Sequence, residues 1–292
     1  MSASNCAMKL LRYGSVGFEK PGMRDDAGFV RDASAVVRDF TAESLSPALL
    51  NRLRRVPPET LPVVRGSPRL GPPVAGIGKF IAIGLNFSDH AAEANQPVPN
   101  EPIVFSKAVS CIVGPNDDVM LPRGSRKTDW EVELGVVVGT TARYVAEEDA
   151  LGHVAGYCVV NDLSEREYQL ERGGTWDKGK GCDTFGPIGP YLVTTDEIPN
   201  PQELGMWLDV NGQRRQVGNT RTMIFTVRAL VSYVSQFMTL YPGDLITTGT
   251  PPGVGMGSKP PAFLSPGDVV ALGIDGLGEQ RQRVVAWSAS KS

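Results

Sequence analysis

The stretch Asp129-Trp130-Glu131-Val132-Glu133 constrains this chain more than any other. Read as a strand, residues two apart share a face. Glu131 and Glu133 then project together, Asp129 is placed to join them, and Trp130, Val132 and Leu134 turn into packing. The apolar run Leu134 to Val138 makes this a buried strand and not a solvated acidic face. Two carboxylates held side by side in a low dielectric repel strongly. Either one takes a proton or a cation sits between them. A second apolar run, Tyr157-Cys158-Val159-Val160, ends in Asn161-Asp162 and puts a further carboxylate at a strand end. Three carboxylates and no soft ligand suit a hard divalent ion, Mg²⁺ or Mn²⁺, with open positions left for substrate. A bare Glu-x-Glu also fits salt bridges or turn caps, so the rest of the chain has to decide.

Composition removes several classes. The 292 residues are enough for one large domain, or a large one with a small one. The net charge of −3 carries no basic patch for nucleic acid. No apolar run reaches the roughly eighteen residues of a membrane span, and no secretory signal pattern is visible. Cys6, Cys111, Cys158 and Cys182 lack Cys-x-x-Cys spacing and read as reduced thiols of a cytoplasmic protein. With only His90 and His153, a His-rich zinc or iron site is nearly excluded.

Along the chain, residues 1–8 are small and polar and predict a disordered tail. Residues 9–78 predict a small N-terminal domain of short strands and a short helix, ending in a Pro-, Arg- and Gly-rich linker. At Lys79 the character changes. Phe80 to Leu85 predicts a buried strand, followed by a short helix capped by Ser88 or Asp89, with His90 and Glu93 one turn apart. A carboxylate beside an imidazole is a general-base pair, because the acid fixes the ring tautomer and raises its basicity. By spacing alone it is also an ordinary helix-surface pair. Ser164 to Arg172 predicts a helix with Ser164 as N-cap and Glu167 completing a capping box; Arg166 and Gln169 lie one turn apart on it. The Gly-rich stretch Gly173 to Gly189 carries Lys178, Lys180 and Asp183 and is too long for a plain connector. Phe225 to Leu240 predicts the clearest helix, with Leu230, Val234, Phe237 and Met238 as its core stripe. The loop Gly249 to Gly255 presents the Thr250 hydroxyl and backbone amides able to bind a carboxylate. Strands dominate from Lys79 onward and predict a β-roll or barrel-like core with helices beside it.

Five segments in this order resemble the fumarylacetoacetate hydrolase family: Gly84-Leu85-Asn86-Phe87, His90-Ala91-Ala92-Glu93, Asp129 to Leu134, Asn161-Asp162-Leu163-Ser164, and Thr248 to Gly255. The resemblance spans about Lys79 to Trp287. It implies an α+β, β-rich fold: a mixed β-roll core over residues 79–289 beside a small N-terminal α+β domain. It implies Mg²⁺, with Mn²⁺ as the alternative, held by Glu131, Glu133 and Asp162. It also implies a His90–Glu93 dyad that handles a water, with Lys180 close to the substrate. Arg166, Gln169 and Thr250 match positions that contact substrate carboxylate or oxo groups, and a homodimer is implied as well. The run Asp177 to Pro187 looks most similar to a bacterial subgroup acting on 2,4-diketo-3-deoxy sugar acids. The expected reaction is hydrolysis of a carbon–carbon bond in a small keto acid, giving pyruvate and a hydroxy acid such as lactate. Because the family is chemically diverse, oxaloacetate decarboxylation, enol–keto isomerisation and ureidoglycolate cleavage stay open.

Overall fold

The computed structural model describes residues 8–93 and 97–289. Most of the expected tail, residues 1–7, lies outside them. Met8, grouped with that tail by sequence, is instead 1% exposed, and its N–H donates to Thr194 Oγ1 at 3.1 Å.

The fold is α+β and strand-rich. Its large sheet runs in the spatial order Val30–Asp32, Lys20–Arg24, Lys9–Tyr13, Gly186–Thr194, Val154–Asn161, Val132–Val138, Leu245–Thr247, Phe80–Gly84, Ile103–Lys107. This path has two free ends among the described residues, so the expected β-rich core is an open, mixed sheet that the barrel-like description fits only loosely. The N-terminal strands continue that sheet, because Lys9 and Leu10 pair with Val193 and Leu192. A second sheet orders Gln213–Asn219, Gly205–Val210, Val269–Ile274, Gly278–Val285 and Val119–Met120. No described helix is long and apolar enough to cross a membrane.

Strand Val132–Val138 is buried on both faces because strands flank it and both sheet faces are covered. That matches its near-continuous apolar sequence. Its register places the site. Val132 lies opposite Asn161, and Gly135 opposite Thr247, in antiparallel pairs; Leu245 lies beside Phe80 in a parallel pair. The start of this strand therefore meets the ends of three others. Glu131, Glu133, Asp162, Leu85 and Gly249 all emerge at one edge.

Several local expectations are corrected. The stretch Thr128 to Glu133 is not one strand: Thr128–Asp129 pairs with Ser164–Glu165, and the next strand starts at Val132. The long helix is Val227–Ser235, and Phe237 lies beyond it, 66% exposed. The N-cap of the helix Arg166–Leu170 is Glu165, whose side chain accepts from Glu167 N, while Ser164 belongs to the short strand. The Gly-rich excursion contains a helical turn, Asp177–Lys180.

Candidate metal centre and its cavity

Glu131 and Glu133 converge although Glu131 precedes the strand that begins at Val132, and Asp162 arrives from the neighbouring strand end through Asp162 N donating to Glu131 O at 2.9 Å. One carboxylate oxygen from each of these three buried residues lies within 4.8 Å of the others. Asp129 does not join them. Its oxygens accept from Gly255 N at 2.6 Å and Met256 N at 3.0 Å, and the Arg166 guanidinium sits on it at 2.8 Å. All nine candidate residues, His90, Glu93, Glu131, Glu133, Asp162, Arg166, Gln169, Lys180 and Thr250, line one cavity of about 420 Å³. That is the size of a small-molecule site.

The acids are held by opposite charge. Lys180 Nζ bridges Glu131 Oε2 at 2.6 Å and Asp162 Oδ2 at 2.7 Å. Arg166 Nη2 holds Glu131 Oε1 at 2.7 Å. Burial pushes the Glu131 carboxyl up, but Lys180 and then Arg166 outweigh it and hold it below the usual carboxylate range. Glu133 goes the other way. Burial, then the charges of Asp162 and Glu131, raise it well above that range. Thr247 Oγ1 at 2.7 Å and Gly249 N at 2.8 Å both donate to its Oε2, which is not enough to reverse the shift. Burial lowers the Lys180 ammonium, and Asp162 and Glu131 raise it further than burial lowers it, so it stays charged.

These donors fit a hard divalent ion. They are oxygens only, and Asp162 Oδ1 is buried without a hydrogen-bond partner. Lys107 Nζ lies 2.6 Å from that oxygen but off the line of a hydrogen bond; its hydrogen bonds go to the carbonyls of Leu163 and Lys180. Lys107 thus supplies charge and leaves a lone pair open. A divalent ion would compete with the Lys180 ammonium for Glu131 and Asp162, and with the Glu133 proton.

On the facing wall, the helix Ser88–Glu93 carries His90 Nδ1 3.2 Å from Glu93 Oε2. Gly253 N donates to both Glu93 oxygens at 3.1 Å. With Nδ1–H directed at a carboxylate, Nε2 is left as the basic nitrogen. Gln169 Oε1 accepts from Arg166 Nη1 at 3.0 Å, so its amide offers only N–H donors elsewhere. The Thr250 hydroxyl is not presented as expected. It donates to Val132 O at 2.9 Å and accepts from Gln216 Nε2 at 2.8 Å, so it reaches the cavity only as an acceptor. The loop amides do bind carboxylates, but those of Glu133, Glu93 and Asp129.

Several supporting residues escaped the sequence reading. Lys107 had one signal, a lone lysine in an apolar strand. Asn86 is buried and ties the ends of two strands: its Nδ2 donates to Thr248 O at 2.8 Å and Phe225 O at 3.0 Å. Buried glutamines of the second sheet also reach the site. Gln216 Oε1 accepts from Val132 N at 3.0 Å, and Gln282 Oε1 accepts from Asn161 Nδ2 at 3.1 Å. Nothing local in the sequence marks the two glutamines, and Asn86 is legible only as part of the segment Gly84 to Phe87. Of the cysteines, Cys111 and Cys158 are buried and free, and burial raises both thiols, to about 11 and about 12.

Residues 79–285 match the family described as fumarylacetoacetate (FAA) hydrolase C-terminal. A curated Burkholderia ambifaria protein with a generic hydrolase name is 66% identical over 276 residues, covering 94% of this chain and 98% of that protein. Two solved structures are similar over nearly the whole chain. One, from Mycobacterium abscessus and named for a 2-hydroxyhepta-2,4-diene-1,7-dioate isomerase, is 32% identical with a TM-score of 0.83, covering 97% of this chain and 100% of its own. The other, maleylpyruvate hydrolase from Sphingobium sp. SYK-6 in complex with manganese(II) ion and pyruvate, is 29% identical with a TM-score of 0.78, covering 96% and 100%.

Proposed function

We propose that this chain, which belongs to the fumarylacetoacetate hydrolase family, hydrolyses a carbon–carbon bond in a 2,4-diketo acid in a Mg²⁺-dependent reaction. The products are pyruvate and a carboxylic acid, a hydroxy acid such as lactate where the substrate is a deoxy sugar acid. The observation that carries this reading is the oriented His90–Glu93 pair on the same cavity as the acid triad. Hydrolysis needs a base that activates water, and this pair supplies one beside the acids.

Glu131, Glu133 and Asp162 would hold the ion, which when bound supplies Lewis-acid polarisation of the substrate carboxylate and 2-oxo group. The chain's own groups do the rest. Glu93 fixes the imidazole, and His90 Nε2 takes a proton from water as hydroxide adds to C4. The C3–C4 bond then breaks and its electron pair passes to C3 as the enolate of pyruvate. The proton on His90 returns to C3. The sum is diketo acid plus water giving two acids. Lys180, an ammonium in a buried site, faces the developing negative charge. Gln169 N–H groups orient the keto-acid end.

The isomerase-named relative motivates a second reading, enol–keto isomerisation on the same residues, which needs a proton relay but no water. The test is pyruvate release with Mg²⁺ from acylpyruvates, a 2,4-diketo-3-deoxy sugar acid and oxaloacetate, and glyoxylate release from ureidoglycolate, with EDTA as control. EDTA-sensitive pyruvate with an equimolar second acid supports hydrolysis. Turnover of oxaloacetate alone, or ultraviolet loss of enol without pyruvate, removes it. The homodimer is part of the same proposal and is read by light scattering.

A further inference from the structure

We infer that the free wall of this cavity selects diketo acids whose C4 carries an apolar group, aromatic or branched, over polyhydroxylated or carboxylate-bearing ones. The inference rests on the diketo-acid reading above and departs from the deoxy sugar acids that the subgroup resemblance implies. Beyond the candidate site residues and a few lining glycines, the side chains facing the cavity include Leu85, Phe105, Leu170, Trp176, Val254 and Met256. These six side chains carry one conventional hydrogen-bonding group, the indole N–H of Trp176.

That wall is built, not incidental. Phe105 and Trp176 meet edge to face at 5.1 Å and 68°, a favoured aromatic geometry. The indole lies against Gly84, where a Cβ would come within 2.5 Å of Cζ3 and 2.9 Å of Cη2. Only glycine lets the ring settle there. Leu85 follows in the left-handed region at φ 50°, an unusual backbone for a branched side chain, which turns the chain at the cavity edge. Leu170 and Met256 are 46% and 41% exposed. An apolar ligand group covering them would remove that surface from water.

Charge supports the same conclusion. A distal carboxylate needs a cation, and among the described residues only Arg166 and Lys180 bring cationic side chains to the cavity besides His90. Arg166 is engaged by Asp129 and Glu131, and Lys180 sits among the triad acids at the keto-acid end. Sugar hydroxyls placed on this wall would lose water and gain one indole N–H, a loss that discriminates steeply between substrates.

The experiment compares benzoylpyruvate, succinylpyruvate and a 2,4-diketo-3-deoxy sugar acid with Mg²⁺, in the intact protein and in Trp176→Ala and Leu170→Lys. Benzoylpyruvate is expected to lead the other two by at least about 10-fold in kcat/KM. Trp176→Ala should erase most of that lead, chiefly through KM. Leu170→Lys, at an exposed position, should shift the ratio toward succinylpyruvate. Pyruvate release with the sugar acid or succinylpyruvate equal to or ahead of benzoylpyruvate overturns the inference and leaves C–C hydrolysis standing. A ranking that neither variant moves also overturns it. If no diketo acid yields pyruvate, C–C hydrolysis falls, and the same three compounds are ranked by calorimetric titration with Mg²⁺. Benzoylpyruvate binding at least about 10-fold tighter then sustains the inference, and equal or weaker binding ends it.

Discussion

The two walls of the cavity are built by opposite means. The acid wall comes from strand ends in the middle of the large sheet. Each of its groups is fixed by a register partner, a buried amide or an ion pair, as Glu131 is by Asn161, Arg166 and Lys180. The apolar wall draws Phe105 from the outermost strand of that sheet and its other groups from short helical turns and loops, with Leu170 and Met256 partly in water. The difference teaches where tolerance lies. The acids sit in the buried sheet, while much of the apolar wall lies where the protein meets water, and the His90–Glu93 pair sits on a short helix of its own.

The sharpest break is Asp162→Ala. It leaves the ammonium groups of Lys107 and Lys180 buried without a shared counter-charge. The expected cost is about 3–5 kcal/mol in urea unfolding, with loss of Mg²⁺ binding by calorimetry. An unchanged midpoint would mean the acid wall is not held by charge. His90→Ala comes next. It should slow pyruvate release ~10²–10⁴-fold while sparing Mg²⁺ affinity, and a fully active variant would remove the dyad from the mechanism.

Gln216→Ala tests support from outside the large sheet. It strands Val132 N and one hydrogen bond to Thr250, for roughly 1–3 kcal/mol of stability. A loss confined below a few tenths would show the amide seam to be redundant. The pH dependence is smaller still. Glu133 keeps its proton in the folded metal-free protein at pH values where the unfolded chain has released it. The folded state then binds more protons, so stability falls as pH rises through that window, by at most about 1.4 kcal/mol per pH unit. Saturating Mg²⁺ replaces the proton and flattens the slope. Identical slopes with Mg²⁺ and with EDTA would show that the ion does not displace it. Least of all, Leu170→Ala should move stability by less than about 0.5 kcal/mol, because its side chain is half in water. A large loss there would dissolve the contrast between the walls.

Sequence alone reached the acid wall well and the apolar wall poorly, for one reason. Glu131 and Glu133 are two apart on an extended chain, and Asp162 ends an apolar run, so local periodicity carries them. His90 and Glu93 are one helical turn apart and are legible in the same way. The partners of these groups are far away in sequence. Gln216 meets Val132 and Gln282 meets Asn161 only because two sheets pack together. Lys107 finds Asp162 across a strand and a loop. Trp176 sits in a Gly-rich stretch too long for a plain connector, but nothing there singles it out, and its seat is an absent side chain, Gly84. Thr250 shows the converse limit: a loop rich in Gly and Pro suggests an opening for ligand, while its hydroxyl and amides close on the protein's own strand ends.

The ammonium of Lys180 between Glu131 and Asp162 has a consequence for the life of the chain. A nascent molecule carries its own placeholder ion. Under the proposed metal dependence, loss of the ion leaves Glu131 and Asp162 paired to an ammonium, so the stripped protein keeps its fold and loses only its activity.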